Sequence, residues 1–358
     1  MNIEKTDMIA ARYDMMAALR TSKLQRAVGM AALTIPSILP PESTTENHKL
    51  ITPYQSLGAR AVNNLANKLL ITLFPVNTPF FKLEVSEGVI QQLEDAGGAS
   101  DAKTQIEKQM SQMENIVQSD MEVSSYRVRI IEAIRALLVV GDGLLFIPAK
   151  DEPAFYKIDQ YVVKRSVTGL VLELILKETI GHEELQDAWI EQLAKADVPV
   201  DDPEASPKNP AHKSYDIYTR VLLKDNKYHE SKHIKGVELD GTKASYPKNA
   251  SAWLPLRWNG LAGEDYGRSY VEEYIGDLIA LEGLSKALQE HAAIASKTFF
   301  VVKPNSVMSL QDVTNVRNGA GIVGDPEDLV FPEVGKQRDM GTAQQMLDNL
   351  SNDISRAF

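Results

Sequence analysis

The chain has no cysteine. That single absence removes disulfide cross-links, thiolate zinc ligands and thiol nucleophiles, and it fits a reducing cytosol. No apolar run approaches the roughly 18 residues that a membrane-spanning helix needs. The opening stretch, MNIEKTDMIAARYDMM, is charged and interrupted, unlike a secretory signal. A soluble, cytoplasmic protein is therefore expected. Positive charge is in deficit, with 38 Lys and Arg against 49 Asp and Glu and a formal net charge of −11. Such a chain is no general coat for nucleic acid, because binding phosphates needs a cationic surface. Its repulsion would still let a duplex pass without sticking. Internal repeats and low-complexity tracts are also lacking.

What is present is ordinary globular composition, 44% hydrophobic and 24% charged, in 358 residues. That is enough chain for two or three domains.

Two chemical motifs occur in the wrong context. His229-Glu230-Ser231-Lys232-His233 matches H-E-x-x-H, which binds zinc only when a helix brings both histidines to one metal. Here the flanking residues alternate and a turn precedes them, so a strand is predicted. In a strand the two histidines stand about 13 Å apart, too far to share an ion. Gly319-Ala320-Gly321-Ile322-Val323-Gly324 matches G-x-G-x-x-G, but Asp325-Pro326 follows directly and no helix can open there. Gly335-Lys336 lacks the rest of a P-loop. No triad or catalytic carboxylate pair emerges. Neither an enzymatic activity nor a cofactor nor a metal is expected, and a zinc-dependent hydrolase on His229, Glu230 and His233 is the alternative to be excluded.

Helical spacing covers residues 5–30, marked by Ile9, Tyr13, Met16, Leu19 and Leu24, and residues 56–73, marked by Leu57, Ala61, Leu65, Leu69 and Leu73. Phe80–Val85 alternates like a strand. Helices are predicted over 102–115, 124–140 and 183–193. Strands are predicted at 144–147, 161–163, 170–176, 215–223 and 227–234, the last two forming a hairpin around Asp225-Asn226. Residues 246–255 read as a loop. The class through residue 262 is α+β.

One long helix is predicted from Ser269 to Lys297, entered through the elbow Gly263-Glu264-Asp265-Tyr266-Gly267. At 1.5 Å per residue it would run roughly 43 Å. Its apolar stripe is Val271, Tyr274, Ile275, Leu278, Ile279 and Leu281. Its charges are Glu272, Glu273, Asp277, Glu282, Lys286, Glu290 and Lys297. Another helix begins near Thr342 and is still running at Phe358. Between them lies a small turn-rich segment with a strand at Phe299-Phe300-Val301-Val302.

Four runs carry a family likeness: Thr34-Ile35-Pro36-Ser37-Ile38-Leu39-Pro40; Leu57-Gly58-Ala59-Arg60-Ala61-Val62-Asn63-Asn64-Leu65-Ala66-Asn67-Lys68-Leu69, extending through Leu73-Phe74-Pro75; Ser125-Tyr126-Arg127-Val128 before the Gly141 turn; and Tyr266-Gly267-Arg268-Ser269-Tyr270-Val271-Glu272-Glu273-Tyr274. With these runs in this order, the chain resembles the portal, or head-to-tail connector, proteins of short-tailed bacteriophages (podoviruses). The resemblance implies a ring, usually a dodecamer, at one capsid vertex of the virion, through which double-stranded DNA is packaged and ejected. It implies terminase, then adaptor and tail proteins, as partners, with scaffolding and major capsid proteins against the wing, and assembly in the host cytoplasm. Mapped onto this chain, it gives an α+β wing over 1–262, an elbow and first stem helix over 263–297, a clip over 298–341 and the start of a second stem helix over 342–358. Family members continue further, through the rest of the stem, a tunnel loop and a crown, so the chain is expected to be C-terminally truncated relative to the family.

On this mapping the candidate DNA-channel residues are Glu282, Lys286, Glu290 and Lys297. The candidate clip and partner-binding residues are Phe299, Phe300, Val301, Val302 and Lys303. A clip so small buries little by itself, so its strand is expected to be completed by a neighbouring subunit.

Overall fold

In the computed structural model the described residues are 7–41, 44, 47–76, 78–85, 88, 100–148, 152–196, 198, 214–295, 301–304, 311, 325, 327, 329–330 and 337–358. They fall into two units, one of residues 1–52 and 58–275 with Phe358, the other of 53–57 and 276–357.

The first unit is organised by helix α1, Met8–Leu33. Asp7 caps it, its carboxylate accepting from the amides of Ile9 and Ala10 at 3.1 and 3.0 Å. The buried stripe is Tyr13, Met16, Arg20, Lys23, Ala27, Met30 and Ala31. It has helical spacing but includes two cations where the sequence gives a polar face. Leu19, a predicted core marker, is 73% exposed.

Two antiparallel sheets follow. One has the order β2-β1-β9 (Ala154–Tyr156, Asp142–Phe146, Trp253–Arg257). The other, six-stranded, runs β3-β4-β5-β6-β7, with β8 also on β6 (Tyr161–Arg165, Val171–Ile180, Tyr215–Lys224, Lys227–Ile234, Val237–Glu238, Ala244–Pro247). Period-two alternation splits the large sheet's side chains. Val162, Ile175 and Tyr218 pack against Tyr13 and Met16 of α1. Tyr161, Val163, Leu174, Leu176, Val221 and Tyr228 turn the other way and form a core with Leu144, Ala252 and Trp253. The β5–β6 hairpin closes at Asp225 and Asn226, with φ of 50° and 60°. That is a two-residue turn whose twist matches the strands.

The remaining helices are α2 (Leu57–Leu73), α3 (Ser100–Val123), α4 (Tyr126–Val139) and α5 (Asp187–Lys195), the last preceded by a 3-10 turn at His182–Glu184. The small residues Gly58, Ala61, Val62 and Ala66 form the buried stripe of α2, not the predicted leucines.

Two expectations fail. Residues 80–85 form no strand; Phe80 instead meets Phe74 and Phe81 edge-on at 4.9 and 5.2 Å, and the Leu83 amide donates to Glu114. Residues 246–255 are no simple loop, since β8 and β9 occupy much of the stretch. Pro247 and Pro255 are accommodated because both strands lie on sheet edges, where proline is tolerated.

In the second unit, helix α6 spans Ile275–Ala295, strands β10 (Val301–Val302) and β11 (Leu329–Val330) pair antiparallel, and helix α7 spans Gln337–Ala357. The predicted helix from Ser269 starts later, because Ser269 Oγ accepts from the Glu272 amide at 3.0 Å and a 3-10 turn, Val271–Tyr274, comes first. Lys297, Phe299, Phe300 and the G-x-G-x-x-G run lie outside the described residues. No helix among the described residues is long and apolar enough to cross a membrane.

Candidate channel and assembly surfaces

The elbow is built from groups far apart in sequence. Gly141, with φ of 87°, turns the chain from α4 into β1. A Cβ on Gly267 would meet the Gly141 carbonyl oxygen at 2.6 Å, so glycine is required for that approach. The Gly267 amide donates to Asp142 Oδ1 at 2.8 Å. Lys23 of α1 inserts its ammonium here, 3.2 Å from Asp142 Oδ2, and donates to the carbonyls of Val140 and Gly267. Both side chains are almost wholly buried, 6% and 2% exposed. Burial pushes the Asp142 carboxyl above its ordinary value, and the Lys23 ammonium opposes that push.

Around this knot, Asp265 accepts from the Arg165 amide at 2.7 Å and pairs with Lys164 at 2.9 Å. Arg268 bridges Glu264 and Glu272 at 2.7 and 2.9 Å, and Arg26 also reaches Glu272 at 3.1 Å. The two carboxylates hold the guanidinium's proton more firmly still, and Arg268 lowers the Glu264 carboxyl. The elbow is thus fastened within the first unit.

On α6, Glu282 accepts from the amides of Tyr54 and Gln55 at 3.0 and 3.2 Å. Gln289 donates to the Tyr54 carbonyl at 3.1 Å, and the Lys286 ammonium lies 5.7 Å from the centre of the Tyr54 ring. Lys286 and Glu290, one turn apart and both exposed, approach to 4.0 Å. Of the predicted channel set, then, Glu282 holds the 53–57 segment, Lys286 and Glu290 form a loose surface pair, and Lys297 is not described. Val301 is 50% exposed in β10 and Lys303 is exposed just beyond it. The β10 backbone pairs with β11 of the same chain through Val301↔Val330 and Val302↔Leu329.

The H-E-x-x-H run lies in β6, as its alternation predicts. His229 and His233 share one strand face with Ser231, whose hydroxyl meets His233 Nε2 at 2.9 Å. Glu230 is on the opposite face, buried, and accepts from Trp253 Nε1 at 2.8 Å and from the Tyr246 hydroxyl at 3.1 Å. The carboxylate that a zinc hydrolase would use as its base is a core hydrogen-bond acceptor.

Arg129 and Arg135 of α4 join Lys157, Ile35, Ile38 and Phe155 around a cleft of about 610 Å³. Residue spacing marks only the apolar face of α4; the nearness of its arginines to Lys157 is tertiary.

The model of the family described as bacteriophage head to tail connecting protein matches residues 6–358. Among similar proteins, the portal protein of Enterobacteria phage T3 is 33% identical over 97% of this chain and 64% of its own length. That of Escherichia phage T7 is 34% identical over 93% and 61%, and that of Enterobacteria phage SP6 is 26% identical over 95% and 64%. The chain thus spans somewhat under two thirds of these relatives. Among solved structures, a chain of the virion of a native gene transfer agent particle aligns with a TM-score of 0.33 and 12% identity, covering 64% of this chain and 54% of that one.

Proposed function

Because the chain belongs to the bacteriophage head to tail connecting protein family, we propose that it is a subunit of a portal ring at the capsid vertex. The ring is a dodecamer that conducts double-stranded DNA during packaging and ejection. It docks terminase on the clip side and later adaptor and tail proteins, while scaffolding and major capsid proteins meet the wing. It acts in the virion, is assembled in the host cytoplasm, and has no catalytic role.

The observation that carries this reading is the family match along 6–358, joined to the order of elements in the second unit: helix α6, the β10–β11 pair, helix α7. In the proposal, 1–262 is the wing, 263–297 the elbow and first stem helix, 298–341 the clip and 342–358 the start of the second stem helix. The elbow knot lies wholly in the first unit and fastens the chain ahead of α6.

For the channel, the proposal rests on charge. With a net charge of −11, the chain disfavours lasting phosphate contacts, so the duplex slides. Lys286 and Lys297 give sparse transient contacts, and Glu290 keeps Lys286 partly occupied. Glu282 contributes by holding 53–57 against α6. Phe299, Phe300, Val301, Val302 and Lys303 form the clip edge that partners read. Negative-stain microscopy of the purified chain tests the reading: closed rings with a central opening are expected, and uniformly monomeric particles at high concentration would defeat it.

A further inference from the structure

We propose that the cleft beside α4 receives a carboxylate from a second copy of this chain, and so forms one half of a contact between subunits. The inference rests on the ring reading and names a place where the ring is held.

The cleft, about 610 Å³, lies wholly within the first unit. That size is within the range of about 300–1,000 Å³ typical of sites that enclose small groups. Three cations line it, Arg129, Arg135 and Lys157, against one anion, Glu132. Arg129 Nη1 reaches Glu132 at 3.0 Å, and Lys157 Nζ donates to the Ser37 carbonyl at 3.1 Å. The Nε–H groups of both Arg129 and Arg135 are buried with no acceptor among the described residues. Arg135 forms no ion pair with them either.

Elsewhere in this unit Arg20 also buries an Nε–H without an acceptor, but its other nitrogens donate to the carbonyls of Ile158, Asp159 and Tyr161. Arg12 and Arg220 converge on the buried Glu173 at 2.8 and 2.6 Å, and Arg268 holds Glu264 at 2.7 Å. The cleft lining carries three cations against one carboxylate, and Arg135 has no ion-pair partner among the described residues, so an anion entering the cleft would balance its charge.

The walls identify the anion. Ile35, Ile38, Ala136 and Phe155 make the lining half apolar. A duplex backbone is bound by open rows of cations, not by three around an apolar hollow that also holds a carboxylate. An Asp or Glu flanked by apolar residues fits, and its carboxylate matches the planar fork of Arg135. A second copy is a ready source, since each chain has 49 acidic residues against 38 basic ones.

The test uses the whole chain. Heavy-isotope-labelled and unlabelled protein are unfolded together in urea and refolded as a mixture, coupled with a zero-length carbodiimide, and the joined peptides identified by mass spectrometry. A mixed-isotope link from Lys157 to an Asp or Glu is expected. It should fall at least tenfold in Arg135→Gln and Arg135→Glu, and also with added salt in the unchanged chain. Circular dichroism checks that the variants are folded, and the salt series decides the matter if they are not. Rings with mixed-isotope links elsewhere but none at Lys157 would overturn this inference and leave the ring reading intact. Monomers with no mixed link anywhere would overturn both. Protection of Lys157 by a short DNA duplex, without carboxylate coupling, would make the cleft a phosphate site and overturn the assignment to a second copy.

Discussion

Replacing Lys23 by Met leaves Asp142 buried without its counter-charge, and the effect can be worked from the geometry. Lys23 lies 3.2 Å from the carboxylate and donates to the carbonyls of Val140 and Gly267, so three acceptors lose a partner. Removing one member of a buried pair costs about 3–5 kcal/mol. For a unit of this size that lowers the melting temperature by on the order of 10 °C. The loss depends on pH with a definite sign. The folded Asp142 carboxyl is already raised by burial, against the pull of Lys23. Without Lys23 it rises further, so the folded variant takes up a proton that the unfolded chain releases. Stability is then greatest in acid and falls as pH rises through the folded pKa, by at most about 1.4 kcal/mol per unit. Adding Asp142→Asn removes the stranded charge and should restore most of the loss at neutral pH. The assay is urea unfolding at pH 5 and pH 8, followed by tryptophan fluorescence. All 3 tryptophans, Trp189, Trp253 and Trp258, lie in the first unit. A loss below about 0.5 kcal/mol, equal at both pH values, would refute the buried knot.

Further outcomes follow from other contacts. Glu230→Ala strands the Trp253 indole N–H and the Tyr246 hydroxyl and should cost about 2–3 kcal/mol, whereas His229→Ala should change stability by less than about 0.5 kcal/mol; equal losses in urea unfolding would contradict the assignment of faces in β6. Asn226→Val forces a β-branched residue into a left-handed conformation and should cost about 1–2 kcal/mol, read as a lower urea midpoint. Burial lowers the His233 pKa below its ordinary value. The unfolded chain therefore binds the proton more readily, and stability should fall as pH drops below about 6.5. His233→Gln should flatten that fall, and an unchanged pH profile would count against it.

Local pattern revealed much of the fold. Helices α1, α2 and α4 emerged from spacing, and the β5–β6 hairpin from Asp225-Asn226 between alternating runs. The sequence could not reveal where long-range partners lie. Arg20 and Lys23 look like a solvated face of α1, yet they are buried because Ile158, Asp159, Val140 and Gly267, distant in the chain, offer carbonyls to them. Strand β9 exists because β1 pairs with it from Asp142↔Arg257 to Phe146↔Trp253; nothing local signals that pairing. Conversely, Phe80–Val85 alternates but finds no strand partner among the described residues. Of the site, the helix bearing Glu282, Lys286 and Glu290 was legible as a helix. The engagement of Glu282 with Tyr54 and Gln55 was not, because a carboxylate's backbone partners have no sequence signature.

The central claim is that copies of this chain close into a ring. Native mass spectrometry of the purified protein measures it most directly. A single dominant species at twelve subunits, persisting on dilution, is the outcome the account predicts. A monomer at every concentration, with the chain folded by circular dichroism, would contradict it.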